Sequence, residues 1–143
     1  MYKHLVVGTD GSATATEAVK QAAELAKAFN AHLTIFSAYP PLDPNRAPSQ
    51  DRDDWQVTSA AQAEEVVRAG TTAAKAIHPD VRHRADPGDP AEAMILFAEE
   101  SGADLIVVGS VGMTSARRFL LGSVPNKISH HAPCDVIIVR TAD

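Results

Sequence analysis

Five short apolar runs, spaced by segments of a different period, constrain this chain more than any other feature. They are His4–Val7, His32–Ala38, Val81–Ala85, Leu105–Val108 and Val136–Val139. The first, fourth and fifth are continuous Val/Ile/Leu stretches. Strands covered on both faces read this way, because neither face can tolerate a polar side chain. Parallel strands need long crossovers, and right-handed crossovers bring every strand's carboxyl end to one edge of the sheet. The alternation therefore predicts an α/β domain. At 143 residues the chain suits one such domain, spanning 1–143.

The intervening segments carry helical spacing. Ala15, Ala18, Ala22, Leu25, Ala26 and Phe29 recur at steps of three and four, so they share one face. Ala63, Val66, Val67, Gly70, Ala74 and Ile77 do the same in a second helix, with Trp55 near its start as a packing residue. A third helix opens on Asp89-Pro90-Ala91-Glu92, with Asp89 as N-cap, Pro90 at the first helical position and Glu92 as the reciprocal cap. Its core face is Ala91, Met94, Ile95 and Ala98, and Gly102 ends it. A fourth, short helix runs from Ser123 to before Pro133. The segment Tyr39–Asp54 holds Pro40, Pro41, Pro44 and Pro48 and a charged end, and reads as a long loop.

Two loops carry the chemistry. Gly8-Thr9-Asp10-Gly11-Ser12 closes the first strand: Gly11 permits a tight turn, Ser12 caps the next helix, and Asp10 projects from a strand end. Asp10 is there either as a turn residue or as a hydrogen-bonding group for a sugar or base. The second loop begins where the fourth strand ends, at Gly109. Gly112 follows, then nine residues, then Gly122 and Ser123. If a helix starts at Ser123, the amides of Gly122, Ser123 and Val124 lack partners inside it. Such amides attract phosphate, the helix dipole adds to the pull, and glycines let the phosphate come near. Arg117 or Arg118 is placed to add positive charge. The formal net charge of −5 argues against nucleic acid or an anionic membrane as a general partner, so any anion must be held locally. Neither loop has the G-x-G of a dinucleotide fingerprint, and Asn126 stands where a P-loop needs glycine before Lys127.

Other candidates carry less. Cys134 is the sole cysteine, which fits a reducing compartment and a small apolar packing role. His130 and His131 are adjacent, so on a helix they diverge by about 100° and cannot jointly chelate a metal. No metal site is expected. The opening MYKHLVVGTD enters a strand-like run directly, so no secretory leader is expected. No apolar run approaches the roughly 18 residues of a membrane span. The expected compartment is the cytoplasm. No side chain is positioned as a hydrolytic base, so no catalytic residue is assigned.

Several stretches resemble the universal stress protein family: VVGTDGS at the first strand, SAY ending the second, DLIVVGSVG at the fourth, LLGSVPNKI, and DVIIVR near the end. The family pattern G-x2-G-x9-G-[S/T] falls on Gly109, Gly112, Gly122 and Ser123. The resemblance implies a three-layer, Rossmann-like sandwich with a five-stranded parallel sheet in the order 3-2-1-4-5. It implies binding of an adenine nucleotide: ATP, with Mg accompanying it, or cAMP or AMP. Carried onto this chain, Thr9, Asp10, Gly11 and Ala38 meet adenosine, and Val108 and Gly109 lie near the ribose. Gly112, Gly122, Ser123 and Val124 hold phosphate, with Arg118 beside them, and Pro125 stands where some relatives carry a hydroxyl. The resemblance further implies a homodimer through the last strand, residues 136–140. The expected function is nucleotide binding in stress response or signalling, with slow ATP hydrolysis as the alternative.

Overall fold

A computed structural model describes residues 1–40, 50–110 and 123–141, with the backbone alone described for 50–58. The elements follow in the order β1 (His4–Gly8), α1 (Ala13–Phe29), β2 (His32–Tyr39), α2 (Gln50–Lys75), β3 (Val81–Pro87), α3 (Pro90–Ser101), β4 (Leu105–Gly109), α4 (Ser123–His131) and β5 (Asp135–Val139). The five strands form one parallel sheet in the order β3-β2-β1-β4-β5.

Side chains alternate across a strand, and here both faces are covered. Leu5, Val7, Leu33, Ile35, Leu105 and Val107 meet Ala18, Val19 and Ala22 of α1 and Val67 of α2. The intervening residues Val6, Phe36, Ile106 and Val108 meet Ala91 and Met94 of α3 and Ile128 of α4. This explains the unbroken apolar runs of β1 and β4. Each large side chain taken fully out of water contributes about 1.5–3 kcal/mol before entropy is counted. The alanines of α1 let that helix lie close on the sheet.

The two sheet edges differ. Arg82, His83 and Arg84 of β3 are exposed, and charge along an edge opposes further pairing. On β5, Val136, Ile137 and Ile138 are half-buried, and only Val139 is fully covered.

Helix ends obey local chemistry. Ser12 Oγ accepts from the Ala15 N–H at 3.1 Å, and Asn30 closes α1 in the left-handed region at φ 55°. Asp89 Oδ2 accepts from the Glu92 N–H at 3.1 Å, Pro90 opens α3, and Gly102 ends it at φ 71°. The expected reciprocal cap by Glu92 is absent. Its Oε1 instead accepts from Lys127 Nζ at 3.0 Å, a charged partner that outcompetes a main-chain N–H. Two further expectations are corrected. α2 starts at Gln50, so 50–54 is helix rather than loop. Phe29 is 36% exposed, and its ring meets Tyr2 edge-on at 5.1 Å, because α1 has reached the end of the sheet there.

At the amino edge of the sheet, Asp104 accepts from the Lys3 and His4 N–H groups at 2.9 and 3.1 Å, tying β1 to the start of β4. The His4 ring is buried, stacks on His32 at 4.1 Å, and shares a hydrogen bond with Thr34 Oγ1 at 2.9 Å.

Candidate functional site

The strand order reverses between β1 and β4: the chain winds outward through β2 and β3 on one side, and through β5 on the other. Crossovers leave from the carboxyl ends of β1 and β4 in opposite directions and open a crevice between them. The loop after β1 borders it. Thr9 N–H donates to Phe36 O at 2.9 Å, which extends the pairing one residue beyond β1. Thr9 Oγ1 accepts from the Gly11 N–H at 3.1 Å, and Asp10 Oδ1 accepts from the Ser12 N–H at 2.9 Å. Asp10 therefore does serve its turn, and it is exposed while doing so. Gly11 has φ +83°, a conformation that side chains resist.

The loop is backed by two helices. A Cβ on Gly11 would sit 3.0 Å from Val66 Cγ2 of α2. One on Gly70 would sit 2.8 Å from Ile35 Cγ2 and 3.9 Å from Thr9 Cγ2. From the other face, the Met94 methyl of α3 fills the space where a Gly8 side chain would go. These backing residues were not among the expected site residues. Gly70 was the available signal, since mid-helix glycine costs about 1 kcal/mol and needs a packing reason.

On the β4 side, Gly109 ends the strand in register with Val139. Ser110 N–H donates to Val139 O at 2.7 Å, and Ser110 Oγ accepts from the Thr141 N–H at 3.2 Å. Val108 is only 3% exposed and packs in the core with Ile128 and Met94. Its side chain is therefore structural, leaving its main chain as the part able to meet a ligand. Ala38, half-buried at the end of β2, flanks the crevice on the far side of β1.

α4 follows β4 and leads back to the start of β5, so its N-terminus belongs to the carboxyl edge. The helix starts at Ser123, as expected. Ser123 is exposed, Val124 half-buried and Pro125 buried. The first four positions of a helix have no intrahelical acceptor for their N–H groups. Pro125 has no N–H at all, so among the described residues Ser123 and Val124 supply the unpaired amides. Gly112, Arg118 and Gly122, and Arg117 with them, lie outside the described residues.

Lys127, one turn into α4, is engaged by the first turn of α3. Its Nζ lies 3.0 Å from Glu92 Oε1 and 3.4 Å from Asp89 Oδ2. The Glu92 carboxylate holds the ammonium above its ordinary value, while the Glu92 N–H and then Lys127 hold the Asp89 carboxyl below its own. The Cys134 thiol is pushed up by burial and by the Asp104 and Asp135 carboxylates, the opposite of an activated nucleophile. The His130 and His131 rings are 6.3 Å apart and tilted by 56°. Among the described residues no group of three His, Cys, Asp or Glu side chains converges on a cation position. No described helix is long and apolar enough to cross a membrane.

Main-chain-rich loops at the switch point of a parallel sheet, one leading into a helix start, define a class of α/β domain that holds its ligand at the carboxyl edge. Within that class the chain belongs to the universal stress protein family, whose sequence model it matches over residues 1–140. It is 41% identical over 147 residues to universal stress protein Rv1636 of Mycobacterium tuberculosis, covering 98% of this chain and 97% of that protein. Among solved structures, a universal stress protein in complex with cAMP is 37% identical, with a TM-score of 0.78 and 99% of each chain covered. UspA from Lactobacillus plantarum is 26% identical, with a TM-score of 0.82 and coverage of 97% of this chain and 98% of that one.

Proposed function

We propose that this protein binds an adenine nucleotide in the crevice between β1 and β4 and acts as a nucleotide-responsive stress or signalling protein. The observation that carries the reading is the coincidence of the sequence pattern Gly109-x2-Gly112-x9-Gly122-Ser123 with a helix that starts at Ser123. Unpaired amides of Ser123 and Val124, with Gly112 and Gly122 leaving room, receive the phosphate, and Arg118 adds charge. Thr9, Asp10, Gly11 and Ala38 receive the nucleoside. Val108 and Gly109 contribute main chain near the ribose. The cAMP complex of a 37% identical relative supports the ligand class. Cyclic AMP has one phosphate and AMP likewise, whereas ATP brings three and a Mg ion, so the three differ in how far they reach along α4.

The same reading makes the protein a cytoplasmic homodimer. The half-buried apolar face of β5 is one pairing edge short of a neighbour, which supports self-association through residues 136–140. Identification of the small molecule that co-purifies with the protein, followed by calorimetric titration with cAMP, AMP and Mg-ATP, tests the proposal. Heat with at least one of them is expected. No co-purified adenylate and no heat with any of the three overturns it.

A further inference from the structure

α3 and α4 lie side by side over one face of the sheet, and a groove of about 370 Å³ opens between them on the outside. Its floor is Ile95 and Leu96, and Glu92, Glu99, Lys127 and His131 line it with them. Leu96 is 54% exposed. The other large apolar side chains exposed among the described residues are Met1 at the terminus and Phe29, which rests on Tyr2. Leu96 lines the α3–α4 groove.

The charge around this floor is one-sided. Glu92 and Glu99 sit four residues before and three after Leu96, so they flank it on the same helix face. Lys127 answers them from α4, but it is shared between Glu92 and Asp89. No described cation pairs with Glu99. Two carboxylates thus flank an exposed leucine, and the one ammonium beside them is shared with Asp89 outside the groove. An anionic membrane or nucleic acid is repelled by such a rim. A second copy of the same groove brings like charges together.

We propose that the α3–α4 groove docks a cationic amphipathic helix of a partner protein, with a large apolar side chain against Leu96 and Ile95 and a Lys or Arg beside Glu99. The groove volume holds one or two apolar side chains, as a helix presenting residues i and i+3 or i+4 supplies. The site is separate from the nucleotide crevice and stands or falls independently of it.

The test uses the full chain and a fluorescein-labelled, 14-residue leucine–lysine amphipathic helix, with a leucine–glutamate helix of the same pattern as control. Fluorescence anisotropy is expected to show binding of the lysine peptide only. Leu96→Ser and Glu99→Lys should each weaken it tenfold or more. Glu24→Lys, which changes an exposed acid on α1 in the opposite layer, should alter it less than twofold. Amide shifts in the NMR spectrum should cluster at Ile95, Leu96, Glu99 and His131. No binding, equal binding of the glutamate peptide, or an equal loss in Glu24→Lys overturns the proposal. So does unchanged affinity in Leu96→Ser.

Discussion

Acidification should weaken this fold through His4. The ring is 7% exposed, stacked on His32 and hydrogen-bonded to Thr34, with Phe97 of α3 edge-on at 6.2 Å. Burial, then the neighbouring His32, then Arg82 disfavour a charge there. Asp104 and the Ser101 main chain favour one, and the balance lowers His4 from 6.5 to about 4. Between those values the unfolded chain takes up a proton that the folded protein refuses. Stability is therefore complete above pH 6.5, falls as pH drops toward 4, and levels off below. At about 1.4 kcal/mol per pH unit, the full loss is about 3 kcal/mol, most of it spent by pH 4.5. Urea unfolding of the wild type and of His4→Gln, at pH 7 and pH 4.5, isolates this contribution. Gln keeps a polar group near Thr34 and cannot titrate. The wild type should lose about 2–3 kcal/mol more than the variant over that interval. Equal losses, or an NMR titration placing His4 near 6.5 in the folded protein, refute the reasoning.

Three more outcomes are expected. If Gly122 serves ligand approach as proposed, Gly122→Val should abolish calorimetric heat with adenine nucleotides while leaving the circular dichroism spectrum native; a lost native spectrum makes the position structural. Gly70→Val should destabilise the protein by about 1–3 kcal/mol in urea, since even its Cβ would sit 2.8 Å from Ile35 Cγ2 and overpacking outweighs the gain in helix propensity; a raised Tm contradicts the close seating of α2. Asp89→Ala should cost about 1 kcal/mol at pH 7 through the lost cap. Because the folded-state pKa of Asp89 lies below its ordinary 3.8, the wild type's advantage is present above that value and is lost as pH falls through the folded pKa. A pH-independent difference in the unfolding midpoint rules that linkage out.

Much of the fold is legible in the residues, and the exceptions share a cause. β1 and β4 announce themselves because both faces are covered, so Leu5–Val7 and Leu105–Val108 run apolar without a break. The central residues of β3 look unlike a strand, since Arg82, His83 and Arg84 are exposed at the sheet edge, where His83 reaches Glu64 of α2 and Arg84 lies over the Phe97 ring of α3. That stretch is legible only from its place in the alternation. Helix caps at Ser12 and Asp89 depend on contacts within three residues and are read directly. The tertiary partner of Glu92 lies 35 positions away on α4, so no local rule finds it. The same holds for the candidate site. Thr9, Asp10, Gly11 and the start of α4 are visible as loop chemistry. The backing by Val66, Gly70 and Met94, and the inward turn of Val108, come from how layers stack. The strand order rests on the family resemblance, because right-handed crossovers allow several orders.

The unlike rims of the sheet set a ceiling on assembly. Joining two subunits across β5 would use up the greasy rim of each and make one continuous ten-stranded surface. Its two outer boundaries would both be β3, studded with Arg82, His83 and Arg84. A third subunit would meet the exposed Arg82, His83 and Arg84 at either boundary, and such charge would oppose further strand pairing. In such a pair the charged margin would act as a terminator, and neutralising it is the change that would invite open-ended stacking.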